Sequence, residues 1–152
     1  MKTACFFIAL FISFSVVGQT SFSKEEAKKL IDLFFEGFHK GDTVLMRTTL
    51  ADKVTLQTAF VDAKGNNKIS ESSMHSLLTA IAGRKETEIW EERLHGFTVQ
   101  KDGNLSHVWV PYTFYYNGKL LHCGANAFTL ANTGKGWKII HLIDSRRRDC
   151  GG

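Results

Sequence analysis

Several features that would assign a chemistry are missing from this 152-residue chain. It has no H-x-H, H-E-x-x-H or paired-cysteine motif, so no zinc signature is present and no third metal ligand stands beside the tempting pair His122 and His141, near Asn126. Arg146 to Arg148 is its longest basic block, and the formal net charge is only +4, so nucleic acid is not implied. Its longest apolar run, residues 4–17, falls short of the roughly 20 residues a membrane span needs. There is no internal repeat, linker or low-complexity tract, which argues for one domain.

That short run has another meaning. Lys2 precedes it, and Val16 and Gly18 follow at the −3 and −1 positions of a signal-peptidase site. The reading is a signal peptide over residues 1–18 and a single domain over 19–152. Cys5 lies at the start of the run rather than after it, which argues against a lipoprotein anchor. Removing the leader takes one lysine, so the formal charge falls from +4 to about +3. The location expected is periplasmic or secreted. Cleavage also leaves only Cys123 and Cys150. Two cysteines in an exported chain suggest one disulfide; the alternative is a small buried Cys123 and a free tail thiol at Cys150.

The two halves of the chain differ in periodicity. Ser23 with Glu26 forms an S-x-x-E capping box, followed by Ala27, Leu30, Ile31, Phe34 and Phe38 at helical spacing and a stop at Gly41. Asp42 can cap a short second helix. Residues 54–60 alternate as a strand. Ser70 is read as the cap of a third helix carrying Met74, Leu77, Leu78 and Ile81. In the second half Asp102-Gly103, Asn117-Gly118 and residues 133–136 mark hairpin turns between long β-rich runs. Helices first and strands after predict an α+β domain with an antiparallel meander curling around the helices.

Hairpin register then assigns faces. One face holds Trp90, Glu92, Trp109, Thr113, Tyr115, His122, Asn126, Trp137 and His141. The other holds Arg93, Val108, Val110, Tyr112, Phe114, Cys123, Ala125, Ala127, Ile140, Leu142 and Asp144, and is placed against the first helix because small residues admit a helix closely. The face bearing Trp90, Trp109 and Trp137 is expected to be a homodimer surface; the rival reading puts the pocket on that face. A single β-bulge would exchange the residues beyond it between faces.

The segments FFEGFHKGD (Phe34–Asp42), HCGANAF (His122–Phe128) and KGWKII with the following DSRR resemble exported bacterial proteins of the nuclear transport factor 2-like superfamily (SnoaL-like), whose members often carry the label lumazine-binding. The resemblance spans Ser23 to Cys150. It implies a cone, a curled antiparallel sheet wrapped around N-terminal helices. It does not imply one reaction, because the superfamily includes isomerases, dehydratases, hydrolases, cyclases, transport adaptors and oligomerisation modules.

Candidate site residues follow from the inner face. Asp144, between an apolar strand and a basic tail, is the candidate general acid or base, or else the partner of Arg93, Arg146 or Arg147 in a salt bridge pinning the C-terminus. Gln57, Arg93, Tyr112, Phe114 and Arg146 join it as candidate ligand-binding groups. His39 reads as a cation favoured by the helix C-terminus. No cofactor is called for. The expected function is a small-molecule-binding domain with a partly apolar pocket. The alternatives are a small acid–base enzyme using Asp144 and a dimeric interaction module.

Overall fold

The computed structural model describes residues 22–151, so the leader reading lies outside the described residues. Helix α1 (Lys24–Lys40) starts at Ser23, whose hydroxyl accepts the Glu26 N–H while the Glu26 carboxylate accepts the Ser23 N–H. It ends at Gly41 with φ 75°, a conformation costly for any residue with a Cβ. Asp42 caps α2 (Thr43–Thr49) through the Leu45 N–H.

Strand β1 (Leu50–Val61) then pairs with β2 (Asn67–Ser73). The third helix, α3 (Met74–Gly83), is capped by Ser73, three residues later than Ser70, because residues 67–73 are taken by the β1 ladder. The remaining strands are β3 (Trp90–Leu94), β4 (Thr98–Asp102), β5 (Leu105–Tyr116), β6 (Lys119–Asn132) and β7 (Trp137–Arg147).

One seven-stranded sheet runs β2-β1-β7-β6-β5-β3, with β4 also on β5. All pairings are antiparallel except β1 with β7, so the sheet is mixed rather than a pure meander. Its concave side packs on α1. Ala27, Ile31, Phe34, Phe35 and Phe38 meet Val108, Val110, Phe128, Leu130, Ile139 and Leu142, all buried. Phe34 and Phe35 both contact the Phe128 ring edge-on, with centroids 6.0 and 6.1 Å away. Each such side chain, fully buried, contributes about 1.5–3 kcal/mol.

Three irregularities correct the expected faces. The expected 88–101 strand breaks at residues 95–97. β4 pairs Asp102 with Leu105, whereas β3 pairs Trp90 with Tyr116 and Glu92 with Phe114. On β6, Tyr115 faces Leu120 but Phe114 faces His122, so Leu121 is the extra residue of a bulge. On β7, Leu130 faces Ile139 but Thr129 faces His141, which makes Ile140 a second bulge.

Trp90, Glu92, His122 and Asn126 therefore turn into the cone, and Cys123, Ala125 and Ala127 turn out. Asp144 keeps its inward direction because two parity changes cancel; its partner across β6 is Asn126, not Cys123. The three tryptophans do not share a surface. Trp90 packs on the core, Trp137 stacks on Phe22 at 4.1 Å, and Trp109 alone remains 46% exposed on the outer face. The expected dimer surface thus loses two of its three tryptophans.

The Cys123–Cys150 disulfide is formed, with Cα atoms 5.8 Å apart, and ties the C-terminal tail to β6. Among the described residues no helix is long and apolar enough to cross a membrane.

Candidate functional site

Between α1, α3 and the concave sheet lies a cavity of about 1410 Å³. That is roomier than the roughly 300–1,000 Å³ usual for small-molecule sites. Phe34, Phe35, Phe38, Leu56, Phe60 and Leu77 supply much of its apolar wall; Thr58, Glu92, His122, Asn126, Asp144 and Arg146 form its inner polar cluster, and serines of β2 and α3 and the C-terminal arginines add polar groups at its edge. A smaller hollow of about 500 Å³ along β1, β2 and the end of β7 shares Arg146 and Arg147 but contains no carboxylate.

Strand alternation produces the polar cluster. Thr58 pairs with Asp144 across the parallel β1·β7 ladder, and Asn126 pairs with Asp144 from β6. Asp144 is 7% exposed and accepts three hydrogen bonds. Thr58 Oγ1 donates to its Oδ1 at 2.6 Å; Tyr112 Oη and Arg146 Nε donate to its Oδ2 at 2.9 and 3.2 Å. A phenol has one proton, and the carboxylate takes it. His122 Nδ1, 3.3 Å from the phenolic oxygen, is then left to act as a donor. Burial and the nearby Asp144 charge push the Tyr112 phenol well above its ordinary value.

A second carboxyl stands in the same cavity. Asn126 Nδ2 donates to Glu92 Oε1 at 2.6 Å. Burial pushes Glu92 up to about 8, and the Asp144 charge adds to it against the opposing pull of Asn126 and Arg146. Glu92 is thus mainly protonated at neutral pH. His122 stacks on Phe114 at 4.7 Å; burial and the Arg146 charge bring it down to about 4, so it is neutral.

Beside Tyr112, Gly124 lets β7 come close: a Cβ there would lie 1.7 Å from the Ser145 carbonyl oxygen. Beneath Glu92, its backbone N–H donates to His39 Nε2 at 3.0 Å. Burial lowers the His39 pKa, which fits a neutral acceptor ring and corrects the expected cation.

Of the expected site residues, Asp144, Phe114 and Arg146 line the cavity. Tyr112 is 2% exposed and reaches the cluster through its bonds to Asp144 and His122. Gln57 and Arg93 do not belong to the site. Gln57 faces out, bonded to Glu71 and His141. Arg93 also faces out, paired with Glu91 and 4.1 Å above the Tyr115 ring. The salt-bridge alternative for Asp144 is realised with Arg146, not Arg93 or Arg147. Sequence reasoning missed Thr58, Glu92, His122 and Asn126 as cavity groups.

No protein-family model and no curated protein matches this chain. Solved structures do. A protein of unknown function with a cystatin-like fold from Nostoc punctiforme aligns at TM-score 0.64 and 14% identity, over 86% of this chain and 95% of its own. A nuclear transport factor 2-like protein with a cystatin-like fold from Novosphingobium aromaticivorans aligns at TM-score 0.63 and 16% identity, over 85% and 83%. A "putative dehydratase" of the same family from Streptomyces avermitilis aligns at TM-score 0.59 and 18% identity, over 81% and 94%. Helices held in a curled, unclosed mixed sheet, matched in this way, give the chain the nuclear transport factor 2-like, cystatin-like fold.

Proposed function

We propose that this is an exported domain that binds a small, mostly apolar molecule inside its cone and holds it without converting it. The observation that carries this reading is the state of Asp144. A general base needs a free lone pair aimed at substrate, and three of the roughly four lone-pair sites of the buried Asp144 carboxylate already accept from Thr58, Tyr112 and Arg146. The surrounding wall is largely aromatic and aliphatic, as small-molecule sites are. Export is supported by the leader-like residues 1–18 and by the Cys123–Cys150 disulfide, since such bonds persist in oxidising compartments.

Native mass spectrometry of the protein recovered from its own host, followed by release of whatever is bound, tests the reading. A stoichiometric small molecule is expected. Protein that is uniformly empty, and that takes up no apolar probe afterwards, would contradict it.

One observation favours a second reading, an acid–base enzyme. Glu92, pushed up to about 8 in the same cavity, has the proton affinity suited to giving and taking protons near neutrality. Here Glu92 rather than Asp144 is the group that would move a proton, with Asn126 orienting it. A turnover that survives Asp144→Asn but disappears in Glu92→Gln would mark this case.

A further inference from the structure

We infer that the molecule taken by the cone is an amphipathic monocarboxylic acid, its carboxylate seated on the Arg146 guanidinium and its apolar body among the phenylalanines and leucines of the wall. The inference rests on the binding reading above and names the ligand class of that same site.

Arg146 is held by one atom only. Its Nε donates to Asp144, and neither terminal guanidinium nitrogen has a hydrogen-bond partner among the described residues. Those nitrogens carry most of the group's donors in a planar fork that fits a carboxylate bidentately. The side chain is 47% exposed while that of Asp144 is 10% exposed, so the guanidinium reaches outward from the buried cluster. It also lines the cavity, and Arg147 and Arg148 follow it along the wall.

The acids lining the cavity do not take up that fork. Asp144 is shared among three donors. Asp62 is occupied within its own turn by the Lys64 and Asn66 N–H groups and the Asn66 amide. Asp149 Oδ1 accepts the Gly151 N–H. Glu92 is mainly protonated at neutral pH and is bonded to Asn126. An anionic group is therefore what the Arg146 fork has donors for and does not meet among the cavity's own acids.

The apolar part of the wall restricts what carries that anion. Phe34, Phe38, Leu56, Phe60, Leu77 and Leu142 offer no hydrogen bonds from their side chains. A sugar or a polyphosphate would lay its polar groups against them unsatisfied. A cationic amphiphile would place its charge against the Arg146 guanidinium, whose partner carboxylate Asp144 is already shared among three donors. An acid with one charged end and an apolar body leaves neither end mismatched.

The test is calorimetric titration at neutral pH with decanoate, decanol and decyltrimethylammonium, three probes that share a chain and differ in charge. Wild-type protein should bind decanoate most tightly. Arg146→Gln should weaken decanoate by about 10- to 100-fold and leave decanol within about two-fold, since a charge-assisted fork is lost and the wall is not. Arg146→Lys, which keeps the charge and loses the fork, should fall between, and it carries the comparison if the glutamine variant does not fold. Decanol binding as tightly as decanoate to wild type, or equal losses for both in the variants, would refute the carboxylate assignment and leave the cavity reading standing. If none of the three binds wild-type protein, the cavity reading itself fails, and this inference with it.

Discussion

Replacing Glu92 by glutamine should make the protein more stable at slightly alkaline pH and no more stable in acid. Glu92 has an ordinary value of 4.5 and is pushed up to about 8 in the folded chain. An acid whose folded pKa is raised disfavours folding wherever the unfolded state has released the proton and the folded state has not. Between about pH 4.5 and about pH 8 the unfolded chain therefore binds fewer protons, and stability falls as pH rises. Each pH unit in that window removes about 1.4 kcal/mol, so the accumulated loss at pH 8 is on the order of 5 kcal/mol as an upper bound. Glutamine resembles the protonated acid. It keeps an oxygen for Asn126 Nδ2, supplies N–H donors where the acid had O–H, and does not ionise. The assay is urea unfolding of wild type and Glu92→Gln at pH values from about 5 to about 8. The two free energies should nearly coincide in acid and diverge steadily in favour of the variant as pH rises. Parallel curves with a constant offset would refute the claim that the cone holds Glu92 neutral.

Other substitutions probe the cluster and the tail. Gly124→Ala should destabilise by several kcal/mol or prevent folding, because its Cβ would lie 1.7 Å from the Ser145 carbonyl oxygen and backbone would have to move; an unchanged unfolding midpoint would show that β7 does not approach so closely. Asp144→Asn should lower stability by about 1–3 kcal/mol in chemical unfolding, since three donors lose their charged acceptor, while Arg146 remains partly solvated; no loss would contradict the role of Asp144 as the hub of the cluster. Intact-mass analysis with alkylation should find no free thiol in exported protein, and reduction should cost roughly 3–4 kcal/mol by loop-closure entropy across the 27-residue separation; two alkylated cysteines would contradict the bond.

The part of this fold legible from sequence was the local part. The Ser23 and Glu26 capping box, the stop at Gly41 and the Asn117-Gly118 turn each depend on neighbours a few residues apart, and each is in place. The faces of the sheet depend instead on an unbroken count along strands. One extra residue at Leu121 reverses every β6 residue beyond it, which hid His122 and Asn126. The break at residues 95–97 did the same to Trp90 and Glu92.

Side-chain volume marks the inward face of β6. On β6 the bulky Phe128 and Leu130 share parity with Asn126, and the small Ala125 and Ala127 lie on the other side. The helix Phe34 and Phe35 rings need the larger partners, and both meet Phe128. The same reasoning on β1 places Leu56, Thr58 and Phe60 inside and Gln57 outside. Asp144 was found because it follows an apolar run directly. Its salt bridge to Arg146, two residues on along the same strand, was open to reading; its bonds to Thr58 and Tyr112 were not, because those residues come from two other strands.

The central claim is that the cone, not the outer sheet face, is the working surface. Methyl NMR of leucine-labelled protein titrated with decanoate tests it most directly. The account predicts shifts at Leu56, Leu77 and Leu142, which line the cavity, with Leu105 on the far strand end unmoved. No shift at the cavity leucines, or shifts gathered at Leu105 near Trp109, would contradict it.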